Sequence, residues 1–192
     1  MPLNHSSKHS ALTDAQYAAI GKAVVEWANI EQLLGMLLAR LLATPDFLAR
    51  TFTDPLSAVR LQDGIKEAVE IHRIRYTEKL VSSDVLGQIS AVNDSVSALR
   101  ASRNKIAHFC WCRRSDEVMF GTSFAGGIPT ARSQRKDSAL LSLTELAEMD
   151  RQAIAIVKQL MVLIAKIPAI DEERLLTLRS SGLPSAAAEL KR

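Results

Sequence analysis

The sequence predicts an all-α protein, an antiparallel four-helix bundle with a small β-hairpin before the last helix. Aliphatic residues are abundant, whereas aromatic residues make up only 5% of the chain and 8 residues are glycine, a composition that favours helices. Several long segments place apolar residues alternately three and four positions apart, which is the period of an amphipathic helix. Two capping boxes, Thr13 with Gln16 and Ser142 with Glu145, mark the start of two of these helices.

Four helices are predicted from these caps, from the apolar period and from helix breakers. The segment "ATPDFLARTFTDP", which contains two prolines, is interpreted as a loop between the first helix and the second. A proline also ends the last helix. The predicted helices run from Thr13 to about Leu42, over roughly residues 55–78, from near residues 82–84 to about Ala107, and from Ser142 to Pro168.

Between the third and fourth helices the apolar period changes. Residues 109–124, "FCWCRRSDEVMFGTSF", have β-forming residues on both sides of the polar stretch "RRSDE". This pattern predicts a two-stranded hairpin. Residues 125–138, "AGGIPTARSQRKDS", are interpreted as a flexible, basic loop.

One domain with a tail at each end is expected from 192 residues. We predict a disordered tail over residues 1–12, the helical bundle over residues 13–167, and a tail over residues 168–192 that can hold a short helix. The N-terminal residues lack the apolar core of a signal peptide. The most apolar stretch, "AIAIVKQLMVLIAKI", carries charges and is shorter than the ~20 residues that cross a bilayer. We therefore expect a cytoplasmic protein with no membrane partner.

Two charged residues interrupt the predicted apolar stripes. A buried, unpaired charge costs several kcal/mol, so each residue needs an opposite charge or access to water. One prediction is that Glu31 and Arg103 pair inside the bundle. The alternative is that both lie at its rim with their charged ends in water. The two stripes are Ile20, Val24, Trp27, Glu31, Leu34, Leu38 and Leu41, and Ile89, Val92, Val96, Leu99, Arg103 and Ile106.

The basic residues suggest a local anion-binding surface rather than a general polyanion binder, because the net charge is only +3. A group of them falls on the hairpin turn and the loop that follows. Such a group is usually a solvated loop, yet it can also line a track for nucleic-acid phosphates. Its members are Arg113, Arg114, Arg132, Arg135 and Lys136.

Metal and cofactor chemistry is not indicated. Cys110 and Cys112 lack the two further ligands that a zinc site needs and are interpreted as ordinary strand residues. His72 continues the stripe of the second helix and is expected to be a core or rim histidine. We expect no metal and no cofactor.

The most informative segment is Arg103-Asn104-Lys105-Ile106-Ala107-His108. On a regular helix Asn104 precedes His108 by four residues and lies on nearly the same side, so it can orient the imidazole ring. Arg103 lies about 140° away from His108 around the helix axis. The two side chains therefore meet only if the helix ends or distorts there, or if two subunits share one site.

This segment resembles the motif of the HEPN superfamily, in which an arginine precedes a histidine by four to six residues. The long first helix, the motif near the end of a later helix and the hairpin after it are also similar to HEPN-like bacterial proteins. The resemblance covers roughly residues 13–167. It implies a helical bundle that forms homodimers, with the motifs of two subunits facing each other. Active members are metal-independent ribonucleases, many of them toxins or antiphage effectors, while other members are not catalytic.

The resemblance also implies a role for each residue. His108 would act as a general base or acid on single-stranded RNA, and Arg103 would bind the scissile phosphate. Asn104 would fix the ring of His108, and Glu31 would hold Arg103. An antitoxin or regulatory protein is the implied partner. Phe109 follows the histidine where relatives often have a small residue, and its ring is expected to narrow access to His108. The alternative is an inactive dimerisation or interaction module, in which Arg103 pairs with Glu31 for stability and His108 caps the helix.

Overall fold

The protein is mainly helical, with one small antiparallel sheet. The computed structural model describes residues 10–75, 80–123 and 138–170. The elements in this part of the chain are α1 (Asp14–Leu41), α2 (Asp46–Thr53), α3 (Ala58–Arg75), α4 (Ser83–His108), β1 (Phe109–Arg113), β2 (Val118–Ser123), β3 (Ser138–Ser142) and α5 (Leu143–Lys166).

Three of the predicted helix starts are confirmed by caps, whereas the second predicted helix, expected from about residue 55, begins at Ala58. Both capping boxes form: Thr13 and Gln16 exchange hydrogen bonds at the start of α1, and Ser142 and Glu145 do so at the start of α5. At the start of α4, the Ser82 hydroxyl accepts from the backbone N–H of Val85. Each cap pairs backbone groups that the first helical turn cannot pair internally.

The prediction of a loop between the first two helices is wrong, because residues 46–53 form α2. This helix has eight residues, and its N-cap, Pro45, supplies no side-chain hydrogen bond. Only Ala49 and Thr53 are buried, one turn apart. So short a stripe between two prolines leaves little periodic signal.

The sheet is also larger than the predicted hairpin. β1 and β2 form that hairpin, and β3 pairs with the free edge of β2 in the order β1-β2-β3. β3 is the segment "SALLS", directly before α5. Its residues are half-buried at most, and the capping box of α5 follows it directly, so the segment has no clear strand pattern of its own.

α1 is the central element and packs against α2, α3, α4 and α5. Its buried stripe differs from the predicted one by one position in two places. Ala23 and Ile30 face the core, whereas Val24 is exposed and Glu31 is half-buried. The stripe of α4 is as predicted, with its five apolar members buried. Within the described ranges, no helix is long and apolar enough to cross a membrane.

A second, smaller core lies between the sheet and the ends of α1, α4 and α5. Leu12, Ile106, Trp111, Met119 and Leu146 are its largest buried side chains. Residues 10–12 had been assigned to the disordered tail, yet the Ser10 carbonyl accepts from the Arg113 N–H and Leu12 is buried. Residues 1–9 and the predicted tail after residue 170 lie outside the described residues.

Candidate functional site

The motif histidine stands at the exposed C-terminal end of α4. His108 is the last residue of the helix, and the backbone turns to an extended conformation at Phe109, with φ −90° and ψ 145°. The imidazole is exposed, and it has no hydrogen-bond partner in the part of the chain that the structure describes. His108 is therefore free to meet a ligand and does not cap the helix.

Phe109 does not close off the histidine. Its ring is half-buried, stacks on Trp111 with centroids 5.8 Å apart, and packs against the second core. The Trp111 indole N–H donates to the carbonyl of Ile106, at 3.1 Å. These contacts fasten β1 beneath the last turn of α4. The expected narrowing of access to His108 is not seen in this chain.

Arg103 occupies the stripe position that the sequence predicted, but its partner is aromatic. Its guanidinium carbon lies 5.4 Å from the ring centroid of Trp27 on α1, a cation–π geometry. Apolar side chains of α4 and α5, Leu99 and Met149, line the same small space. No carboxylate or hydrogen-bond acceptor pairs with Arg103 among the described residues. Its N–H donors are uncommitted.

The predicted Glu31–Arg103 ion pair is not present. Glu31 lies beside Ile30, which takes the core position, and it lines a cavity of about 410 Å³ between α1 and α2 together with Asp54 and Arg50. Arg103 lines a different space, on the side of α1 that faces α4 and α5. Glu31 therefore does not hold Arg103 in place.

Asn104 and His108 share one exposed face of α4, as their spacing predicts. No hydrogen bond joins their two side chains. α4 is continuous through His108, so Arg103 and His108 keep an angular separation of about 140°. One subunit alone does not bring the arginine and the histidine of the motif together.

Only two members of the predicted basic surface, Arg113 and Arg114, lie within the described residues. Arg113 is exposed and ion-paired with Asp116 across the hairpin turn, and Arg114 is exposed beside it. The side-chain amide of Gln16 fastens this turn by donating to the carbonyls of Ser115 and Asp116. The remaining members, Arg132, Arg135 and Lys136, lie outside the described residues.

A functional candidate that the motif did not identify is Arg100, two turns before His108. Its guanidinium donates to the side-chain oxygen of Gln62 on α3, at 2.6 Å. The Gln62 amide in turn donates to the Asn93 carbonyl and to the Ser97 hydroxyl, both at 2.8 Å. The sequence signal was available, because Arg100, Asn104 and His108 are spaced four residues apart.

The remaining histidine and cysteines considered in the sequence lie on α3 and β1. His72 is buried, and its Nε2 lies 2.8 Å from the carbonyl oxygen of Leu41. Cys110 and Cys112 are exposed thiols without a disulfide. No group of three potential metal ligands occurs in the described ranges.

Comparison with known proteins gives no assignment. No protein-family model, no curated protein and no solved structure matches the chain.

Proposed function

We propose that this protein is a homodimeric, HEPN-like four-helix bundle that cleaves single-stranded RNA without a metal ion. The observation that carries the proposal is an exposed, uncommitted His108 at the end of a helix rich in positive charge. The last three turns of that helix, residues 97–108, contain Arg100, Arg103 and Lys105 and no acidic residue. A polyanion is attracted to such a surface, and a free imidazole can exchange protons there.

RNA supplies its own nucleophile, so the protein needs only acid–base and electrostatic groups. In the proposed reaction His108 takes the proton of a 2′-OH group, and the 2′-oxygen attacks the adjacent phosphorus. The bond from phosphorus to the 5′-oxygen breaks, and a protonated His108 of the second copy gives a proton to that oxygen. The products are a 2′,3′-cyclic phosphate end and a 5′-OH end.

Arg103 is assigned to the phosphate. A guanidinium stacked on an indole face keeps its N–H edge available, and that edge matches two phosphate oxygens. In this site the arginine stabilises the charge that builds on the phosphate during the attack. Asn104 orients the ring of His108 once substrate or a second copy brings the two side chains together.

The second copy is part of the proposal, because a regular helix keeps Arg103 and His108 apart. The proposal therefore requires a dimer in which the exposed His108 of one copy lies next to the half-buried Arg103 of the other. Such an isologous interface is expected to bury well above ~1,000 Å².

The test is cleavage of single-stranded RNA by the purified protein in EDTA. We expect 2′,3′-cyclic phosphate ends and no cleavage of DNA, since only RNA has the 2′-OH. His108→Ala is expected to slow the reaction by roughly 10²–10⁴ with an unchanged melting temperature. Gln88→Ala is a control on the same helix, because Gln88 is exposed near the opposite end of α4; its melting temperature is measured as well, since its side chain bonds Asp84 and Lys166.

Three results would contradict the proposal. Full activity in His108→Ala would show that another protein cleaves the RNA. Activity abolished by EDTA would show that a metal is required. A particle of 21.0 kDa in light scattering at micromolar concentration would show a monomer and remove the shared site.

A second candidate function is a helical interaction module, and one observation favours it. α2 presents Phe47, 76% exposed, and Leu48, 57% exposed, beside Phe52. Adjacent exposed apolar side chains are typical of protein-binding surfaces. An antitoxin or regulatory protein is the partner that this function requires. The RNA-cleavage assay distinguishes the two functions, because an interaction module leaves RNA intact with or without His108.

A further inference from the structure

Three side chains form a continuous stripe along the C-terminal half of α4. Arg100, Asn104 and His108 follow one another at intervals of four residues. Each step advances about 6 Å along the axis and turns by only about 40°. Arg103, by contrast, is about 140° from His108 and lies on the side that faces Trp27. Two such steps put Arg100 about 80° and about 12 Å from His108, so Arg100 is the arginine of α4 that lies nearer in angle to His108 in the same subunit.

Arg100 is positioned but not neutralised. Its hydrogen bond goes to Gln62, a neutral amide that is itself held by α4 through Asn93 and Ser97. No carboxylate forms an ion pair with it among residues 10–75, 80–123 and 138–170. A guanidinium fixed by one neutral acceptor keeps its full charge and its remaining donors, which is the state that suits phosphate binding.

The helix dipole does not explain a cation at this position. Basic side chains stabilise a helix electrostatically only within its last turn. Lys105 and His108 occupy the last turn of α4, whereas Arg100 is eight residues before its end. Arg100 is half-buried, and its charge is explained neither by the helix dipole nor by an ion pair among the described residues.

We propose that Arg100 binds a phosphate of single-stranded RNA next to the phosphate at which His108 acts, with Asn104 between them. This proposal rests on the ribonuclease function proposed above and adds a substrate-binding residue to that site. In this proposal, α4 of each protomer carries both a residue that binds a phosphate, Arg100, and a residue that transfers a proton, His108. The second copy contributes Arg103.

The experiment measures binding separately from cleavage. The probe is a single-stranded 2′-deoxy oligonucleotide, which keeps the phosphates but cannot be cleaved through a 2′-OH. We expect Arg100→Gln to weaken its binding about tenfold or more and to reduce the slope of log Kd against log salt by about 0.7. Arg100→Lys restores the charge, so we expect it to recover the salt slope but only part of the affinity.

The matched control is Arg50→Gln, which removes the same charge from an exposed site on α2 and is expected to bind as the wild type does. Melting temperatures are measured for all variants, because Arg100→Gln also removes the hydrogen bond to Gln62. A lower melting temperature with wild-type affinity and salt slope would overturn the proposal and leave Arg100 a structural role.

The outcomes separate this inference from the proposed function. Unchanged oligonucleotide binding by Arg100→Gln, together with RNA cleavage that depends on His108, would refute the role of Arg100 alone. Weaker binding by Arg100→Gln, with cleavage unaffected by His108→Ala, would refute the catalytic proposal and support a nucleic-acid surface. Absence of binding by the wild type would overturn the role of Arg100.

Discussion

Gly121 is expected to be the position in the sheet that least tolerates an added methyl group. It lies directly opposite Trp111 in the β1–β2 pairing. A Cβ built on Gly121 would stand 2.7 Å from two atoms of the indole ring, Cε3 and Cζ3. The glycine does not adopt a positive φ, so backbone conformation does not explain it. The glycine is explained by the space that the Trp111 ring needs.

The cost of Gly121→Ala follows from how firmly that ring is held. Trp111 is buried, stacks on Phe109, and donates its indole N–H to Ile106. The ring cannot retreat without breaking these contacts, so the substitution overpacks the second core. Overpacking of this kind costs about 1–3 kcal/mol, which lowers the melting temperature by roughly 2–12 °C in a domain of this size.

Two helical glycines provide the controls. A Cβ at Gly21 in α1 or at Gly87 in α4 would meet no atom within 4 Å. Alanine at either position should raise the free energy of unfolding by about 0.5–1 kcal/mol, because it reduces the entropy lost on folding. Thermal unfolding followed by circular dichroism measures all three variants. If Gly121→Ala melted at or above the wild-type temperature while both controls behaved as expected, the packing argument would be wrong.

Two further predictions concern charged groups. Glu31→Ala should change the free energy of unfolding by no more than about 0.5 kcal/mol, since Glu31 has no buried ion pair to lose; denaturant unfolding that gave a loss of about 3–5 kcal/mol would restore the pairing with Arg103. Glu145 has its pKa lowered from 4.5, first by the backbone N–H of Ser142 and then by its hydroxyl. Because the folded pKa is the lower one, this stabilisation is present above about pH 4.5 and is lost as the pH falls through the folded value. Glu145→Gln should therefore flatten the fall of stability with acid, and an unchanged pH profile would contradict the assignment.

The helices were predictable where the sequence contains its own stop and start signals. Thr13 and Ser142 are helix caps whose hydrogen bonds involve near neighbours, so local sequence is sufficient to locate them. β3 depends instead on pairing with the edge of β2, a long-range contact that leaves little trace in "SALLS". α2 likewise depends on a contact outside its own segment, because it packs against α1.

The position of Arg103 on α4 was predictable from the sequence, but the side chain that it contacts was not. The stripe of α4 placed Arg103 on an inward-facing side, and the structure agrees. Two members of the α1 stripe were assigned one position away, and one of these assignments put Glu31 where Ile30 lies. A cation on an apolar stripe can be satisfied by an acid or by an aromatic face, and only the three-dimensional packing identifies Trp27 as the partner.

The geometry of the helix end allows the role of the His108 side chain to be tested separately from the stability of the fold. The last turn of α4 is held by its neighbours, because Ile106 is buried in the second core and accepts the Trp111 N–H. His108 itself is exposed, and its side chain makes no hydrogen bond within the described residues. Removing its imidazole therefore deletes the proposed proton-transfer group without deleting a side-chain hydrogen bond that supports the fold. A loss of cleavage in His108→Ala at an unchanged melting temperature then reports on chemistry, whereas the same loss in a Trp111 variant would report on the packing that positions the helix end.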